Sequence, residues 1–302
     1  MTLTAILLIT FSAFIHAFWN FLSKRQNPST SFFLIASVVS AILISPILVI
    51  YRRGLPYFTA FDWILVGATG ICQALYYIGL SGAYRNGDLS LAYPLARSLP
   101  VLMVAIISLA LGRGSQIGNL AFLGFLAVAA GCLILPLPYF SELRLKHYLN
   151  ICCLFAILAA VGTTGYTLID DQVLRNLRTA TGMPLVKTQI TLLFMALENI
   201  SLTVALAAFI FLRQPDFRIL RSTWKAIWLP AGGAGLMMTG AYGLVLLAMA
   251  FVTNVSYVSA FRQISLPIGV FLGMIVHREP RYLPRLAGLA IILAGLMVIA
   301  LG

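Results

Sequence analysis

An arginine in the middle of an apolar stretch long enough to cross a bilayer restricts what a chain can become. Residues 86–112, NGDLSLAYPLARSLPVLMVAIISLALG, carry Arg97 near their centre and prolines at 94 and 100. A guanidinium at membrane depth costs about 2.5–3.5 kcal/mol on insertion scales, so it faces a cavity or a partner and not lipid. Proline removes a backbone donor and clashes with the preceding turn, which predicts a bent or locally unwound helix. Asp88 stands where its N-cap belongs. Residues 254–277, NVSYVSAFRQISLPIGVFLGMIVH, repeat the pattern with Arg262 and Pro267. The two arginines lie 165 positions apart, and the same offset sets Tyr77 on Tyr242 and Ala83 on Ala248. With one residue fewer, Gly124 meets Gly288 and Gly131 meets Gly295. The pattern predicts a duplicated membrane protein built around two charged, discontinuous helices, which at membrane depth line water-filled sites.

Composition agrees. Hydrophobic residues make up 61% of the chain and charged residues 9%, against about 25% charged in soluble domains. The mean hydropathy is +0.99. A net charge of +12 would point to nucleic acid in a soluble protein, but here it sits mostly in short loops that meet lipid headgroups. The expected partners are the bilayer and a small-molecule substrate, not nucleic acid. Cys72, Cys132, Cys152 and Cys153 lie in apolar segments without metal or disulfide spacing and read as packing residues. The chain is apolar from Met1 without a basic leader, so its start reads as a first span and not a cleaved signal. No ATP-binding motif is present, and Gly232, Gly233, Gly235 and Gly240 do not follow a strand. No cofactor or metal is expected.

A span needs about 20 apolar residues. Ten candidates lie near 3–23, 30–51, 62–84, 88–111, 117–136, 150–170, 188–212, 226–250, 254–276 and 284–301. The expected fold is an all-α integral membrane protein of ten transmembrane helices. An odd number of spans per repeat gives the halves 1–140 and 141–302 opposite orientations, the inverted-repeat plan. The segment after the sixth span, DDQVLRNLRTATGMPLVK, reads as its helical extension. Lys and Arg number 12 in odd loops against 6 in even ones, a bias that places both termini outside.

Several spans carry polar groups on one face. Ser12, His16 and Asn20 recur at i, i+4 and i+8, with Trp19 beside them. His16 is a candidate proton carrier, the alternative being a neutral imidazole bonded to a neighbouring helix. Gln73 and Tyr77 share a face of the third span, next to Tyr76. Thr163 and Thr167 read as bonding their own helix, and Asp170 and Asp171 as ending the sixth span at the headgroups. Glu198, beside Asn199, is the one acid firmly inside a span. It is a second proton-coupling candidate unless it pairs with Arg97 or Arg262. In an inverted repeat, matched arginines converge on one site, where two guanidiniums suit a carboxylate, phosphate or phosphonate. Tyr77, Tyr93, Tyr242 and Tyr257 would add hydroxyls and apolar walls, with Trp19 and Gln73 completing the candidate substrate set. The competing reading is that each arginine caps carbonyls freed at a helix break, or pairs with Glu198.

HAFWNFLSKR in the first span, GDLSLAYPLARSLPVL in the fourth, and the glycine-spaced fifth and tenth spans carry a family likeness. The chain resembles the drug/metabolite transporter superfamily in its EamA-like branch. The resemblance implies a ten-helix carrier with a central cavity, working by alternating access. Its members are similar to exporters of amino acids and other metabolites, and their termini are usually cytoplasmic, against the basic-residue count. The implied activity is secondary active transport, as an exporter or exchanger, of a small anionic or zwitterionic metabolite such as an amino acid. The implied location is the bacterial inner membrane. The competing classes are a flippase and an integral membrane enzyme for a lipid-linked substrate. An enzyme would cluster acids with bases, whereas the histidines at 16, 147 and 277 are scattered; no catalytic residue is expected.

Overall fold

Lipid offers no hydrogen bonds to a bare backbone, so each segment that crosses it must satisfy its own amides as a helix. The computed structural model describes residues 1–23, 29–86, 89–135, 137–142, 150–276 and 282–301. Among these residues the regular structure is all helix, with no strand. The α-helices in chain order are α1 (Leu3–Ser23), α2 (Thr30–Ile44), α3 (Pro46–Ile50), α4 (Ala60–Asn86), α5 (Leu89–Ala110) and α6 (Asn119–Ile134). They continue as α7 (Ile151–Thr179), α8 (Lys187–Leu212), α9 (Gln214–Ala248), α10 (Val255–Phe261), α11 (Ser265–Val276) and α12 (Leu283–Leu301). Six of the described helical stretches are long and apolar enough to cross a membrane: Thr30–Ile50, Ala60–Ala83, Ile151–Thr179, Lys187–Leu212, Trp224–Phe251 and Leu283–Leu301. Leu3–Trp19, Ala96–Ala110 and Asn119–Ile134 are apolar and shorter. This is a multi-pass, all-α membrane protein.

Local chemistry explains several boundaries. The Asn150 side chain accepts from Cys153 N and starts α7, and Asn254 accepts from Ser256 N and starts α10. The segment after Asp170 does extend its helix, because Val173, Leu174 and Leu177 continue the buried face to Thr179. Asp170 and Asp171 therefore do not end the helix: both are fully buried inside α7. The two proline-bearing stretches differ. Residues 254–276 break as expected, with a 3₁₀ turn over Arg262–Ile264 between α10 and α11. By contrast α5 runs as one helix through Pro94 and Pro100. A proline removes a single donor, and the hydrogen bonds on either side hold the helix together. Asp88 lies outside the described residues.

Glycines set how closely the helices approach. α4 packs on α7, and α6 on α12. A Cβ at Gly288 would sit 2.7 Å from Leu135 N and 2.8 Å from Gly131 O, and one at Gly295 2.9 Å from Gly124 O. These are backbone atoms, which cannot move aside, so only glycine allows the contact. α1 packs on α9 and on the broken helix, α2 on α8 and α9, α4 on α8, and α5 on α6, α7 and α10. The apolar face of α1 turned outward (Leu3, Leu7, Phe11, Phe14, Phe18) is the one suited to lipid.

Gly288→Val should lower the thermal unfolding midpoint of the detergent-solubilised protein by the equivalent of about 1–3 kcal/mol of overpacking. Gly67→Ala, where an added Cβ meets nothing within 4 Å, should not. Equal midpoints for the two variants would refute the close α6–α12 contact.

Candidate functional site

The polar stripes of α1, α4, α8 and α9 converge on one half-open cavity. Its wall includes His16, Trp19, Gln73, Tyr77, Arg97, Glu198, Tyr242 and Arg262, eight of the ten residues expected at the site. The side chain of Tyr93 lies outside the described residues. Tyr257 does not reach the cavity. It is buried against Phe125, with ring centres 5.9 Å apart, and its hydroxyl accepts from Gly118 N at 3.1 Å. Its place on α10, beyond the break, turns it towards α6.

Arg262 sits at the helix break with its guanidinium 5.7 Å from the Tyr166 ring centre and 5.2 Å from that of Tyr242. Its Nη2 donates to the Tyr166 hydroxyl at 3.1 Å. Two aromatic faces hold the charge through their quadrupoles while leaving guanidinium edges free for hydrogen bonds. Tyr242 in turn donates to Asp170 Oδ2 at 2.5 Å, and Thr69 donates to Oδ1 at 2.5 Å. Asp170 thus ties α4, α7 and α9 together just behind the caged arginine. The aromatic wall continues through Tyr76, Tyr77 and Phe33, with Tyr76 and Tyr77 at 4.8 Å and Phe33 and Tyr77 at 4.6 Å between ring centres.

Arg97 has a different task. Its Nη2 donates to the Arg262 carbonyl at 2.8 Å and to Ser265 Oγ at 2.6 Å, and Ser265 Oγ itself donates to the same carbonyl at 2.9 Å. The same carbonyl takes the Ser265 backbone N–H of the 3₁₀ turn, and at the break, in a low-dielectric site, a charged donor is the strongest addition to it. Of the two readings of the arginine pair, Arg97 follows the cap and Arg262 is the guanidinium presented to the cavity. Arg97 Nε is buried and has no hydrogen-bond partner among the described residues.

Glu198 is only 1% exposed and its carboxyl is hydrogen-bonded to that of Asp170. Asn199 beside it is occupied: its Nδ2 donates to Met195 O at 3.0 Å and its Oδ1 accepts from Thr239 at 3.2 Å. His16 accepts from Trp19 Nε1 through Nδ1 at 3.2 Å.

The other end of the bundle is closed by a network in which only the i,i+4 pairs of α7, Asp171 with Arg175 and Gln172 with Asn176, are legible in the sequence. Asp171 Oδ2 accepts from Arg113 Nη1 at 3.0 Å and Arg175 Nε at 2.8 Å, while Arg113 Nη2 donates to Gln172. Gln172 donates to Asn176, and Asn176 to Asp62 at the start of α4. Arg175 donates to Thr253 O, and Arg178 to Thr191 and to Leu246 O. The network joins α4, the α5–α6 turn, α7, α8 and the α9–α10 turn.

Tyr166, Thr69 and Ser265 are absent from the sequence-derived site. Two of them carry a visible signal: Tyr166 lies one turn before Asp170, and Thr69 continues the Gln73–Tyr77 stripe at i−4.

No family model matches the chain, and no curated protein does. A solved structure described only as "Crystal structure of protein" shares the fold with a TM-score of 0.71 at 16% identity, over 98% of this chain and 97% of that one. At that identity the likeness is one of fold alone.

The cap predicts a ranking. Arg97→Gln should destabilise the protein by about 1.5–3 kcal/mol, the worth of a hydrogen bond to a charged group, and Ser265→Ala by less, since Arg97 still covers the carbonyl. Thermal unfolding midpoints of both variants test it; the reverse order would remove Arg97 from the role.

Proposed function

We propose that this chain is a secondary active transporter of a small anionic or zwitterionic metabolite, of the EamA-like drug/metabolite kind, seated in a bacterial inner membrane. One observation carries the reading: a caged guanidinium faces a buried polar cavity, and the bundle is laced shut on the far side of it. A carrier that works by alternating access needs a site at mid-depth and a closed face that can open. With no ATP-binding motif in the sequence, the driving energy comes from an ion or substrate gradient. Proton coupling would place the carried proton on His16 or Glu198, both in the cavity wall.

The packing supports ten spans in two inverted halves. Exchange α1 with α7, α2–α3 with α8, α4 with α9, α5 with α10–α11, and α6 with α12. The principal contacts then map onto one another: α4 on α7 becomes α9 on α1, and α2 on α9 becomes α8 on α4. The glycine pairs behave likewise. Gly124 approaches Gly295 and Gly131 approaches Gly288, and the repeat offset converts each pair into the other, as a two-fold axis requires. The arginines occupy matched positions but divide the labour, one propping the break that presents the other.

Thr2 donates to Phe251 O beside the laced end. With cytoplasmic termini, as the family likeness implies, the closed face is the cytoplasmic one and the cavity belongs to the outward side. A cysteine placed at Ser37 in the cavity wall, in a background lacking the four native cysteines, should then react with an impermeant maleimide from outside. Reaction only from the cytoplasmic side would reverse the orientation.

Arg262→Gln should weaken binding of the anionic substrate by about one to two decades, the worth of a charge-assisted hydrogen bond. Arg262→Lys keeps the charge without the fork and should recover only part. A thermal-shift panel of carboxylates, phosphonates and sugar phosphates on purified protein reads the effect. Wild-type affinity in both variants would make Arg262 structural and the substrate neutral or cationic.

A further inference from the structure

Two acids meet at the back of the cavity. Glu198 lines it and Asp170 lies just behind, both at most 1% exposed, and their carboxyls share a hydrogen bond. Two carboxylates have no donor between them and repel, so this bond requires a proton on one of the pair. The surroundings say which. Asp170 accepts from Thr69 on one oxygen and from Tyr242 on the other, as an ionised carboxylate does, so Glu198 is the acid that donates. Glu198 is also the member of the pair that faces the cavity, through which its proton can leave. His16 is accounted for separately. Its Nδ1 accepts from Trp19, whose indole nitrogen only donates, so the imidazole is neutral.

The charges around the pair set what the proton does. Arg262 acts on both carboxyls, and Arg97 shares the cavity wall with it. The other titratable groups facing the pair are Tyr76, Tyr77, Tyr166, Tyr242 and the Cys72 thiol, which carry no charge at neutral pH. With the proton in place, two guanidiniums stand against one carboxylate and one positive charge is left uncompensated. An anion at Arg262 removes it. Without the proton, two carboxylates balance two guanidiniums, and an anion would bring an uncompensated negative charge. An unbalanced charge at membrane depth is the costly case, so the site is neutral with both ligands or with neither. Resting on the transport reading above, we infer that the Glu198–Asp170 pair is a proton site linked to the anion site at Arg262, so that one proton binds and crosses with each monovalent anion. The step is a plain proton transfer. The Glu198 O–H bond breaks, the proton leaves through the cavity, and the new carboxylate takes over the compensation of Arg262 that the anion supplied. Proton and anion thus move in the same direction.

Infrared spectra of the purified full-length protein in lipid test the pair without any substrate. A carboxylic-acid C=O band should be present at neutral pH and be missing in Glu198→Gln. Its absence from the wild type, or its survival in the variant, would overturn the shared proton whatever the protein carries. Binding of acetate, lactate and benzoate, all monoanions at neutral and alkaline pH, tests the linkage. The best-bound of them should lose about tenfold in affinity per pH unit above the point where the pair gives up its proton, with about one proton taken up per anion bound there. In Glu198→Gln the amide stands in for the protonated acid, so affinity should hold and the pH slope should vanish, while Arg262→Gln should weaken binding at every pH. If Glu198→Gln fails to fold, the wild-type slope and proton uptake decide by themselves. Binding that needs Arg262 but ignores pH would overturn the linkage and leave the anion reading intact. A slope that persists in Glu198→Gln would do the same, because the proton would then sit elsewhere. Binding of none of the three, or binding indifferent to Arg262→Gln, would overturn the anion reading and the linkage with it, and the infrared band reports the proton pair separately.

Discussion

The contact between the Arg97 guanidinium and the carbonyl of Arg262 is the one on which the centre of this protein depends. A chain that breaks a helix inside a bilayer must satisfy the backbone groups at the break within the protein, since lipid offers them no partner. A charged donor from a second helix is strong enough and also ties α5 to the break between α10 and α11. Because that carbonyl belongs to Arg262, the cap holds in place the backbone of the residue whose guanidinium faces the cavity. One buried charge stabilises the geometry in which another can be used.

The caged arginine is balanced through a second chain of contacts. Tyr166 and Tyr242 screen Arg262, Tyr242 bonds to Asp170, and Asp170 is held by Thr69 from α4. The next residue along α7, Asp171, belongs to the network that laces the far end through Arg113 and Arg175. Successive residues on a helix point about 100° apart, so adjacent acids serve different neighbours. α7 therefore reaches both the cavity wall and the closed end. One helix thus carries residues of both the cavity wall and the network at the far end.

Close helix contact supports this arrangement. In lipid no hydrophobic gain drives helices together, so dense packing and buried polar contacts take over. Gly131 against Gly288 and Gly124 against Gly295 bring α6 and α12 backbone to backbone. On the other side, the glycines of α4 and α7 do the same: Gly79 meets the Ala159 backbone, and Gly162 that of Cys72 and Tyr76. These seams leave the larger aromatic and polar side chains of α1, α4, α8 and α9 to line the cavity.

Sequence alone determined what is periodic or costly. Apolar length disclosed the helices, glycine spacing disclosed the tight seams, and the expense of burying Arg97, Arg262 and Glu198 marked the cavity wall. His16, Gln73 and Tyr77 were legible for a related reason, since polar groups at intervals of four share one face. Tertiary structure decided everything that depends on which helix lies opposite. It assigned Arg97 to the cap and Arg262 to the cavity, turned Tyr257 towards α6, and buried Asp170 and Asp171 inside a helix that runs on to Thr179. It also built the lacing from Arg113, which as a loop residue resembles any other basic charge near a membrane. The physical reason is common to all of these. The cost of burying a charge belongs to one residue and can be read from its surroundings in sequence. Apart from the i,i+4 pair of Asp171 with Arg175, the partner that offsets the cost is chosen by packing between segments far apart in the chain, which no local pattern encodes.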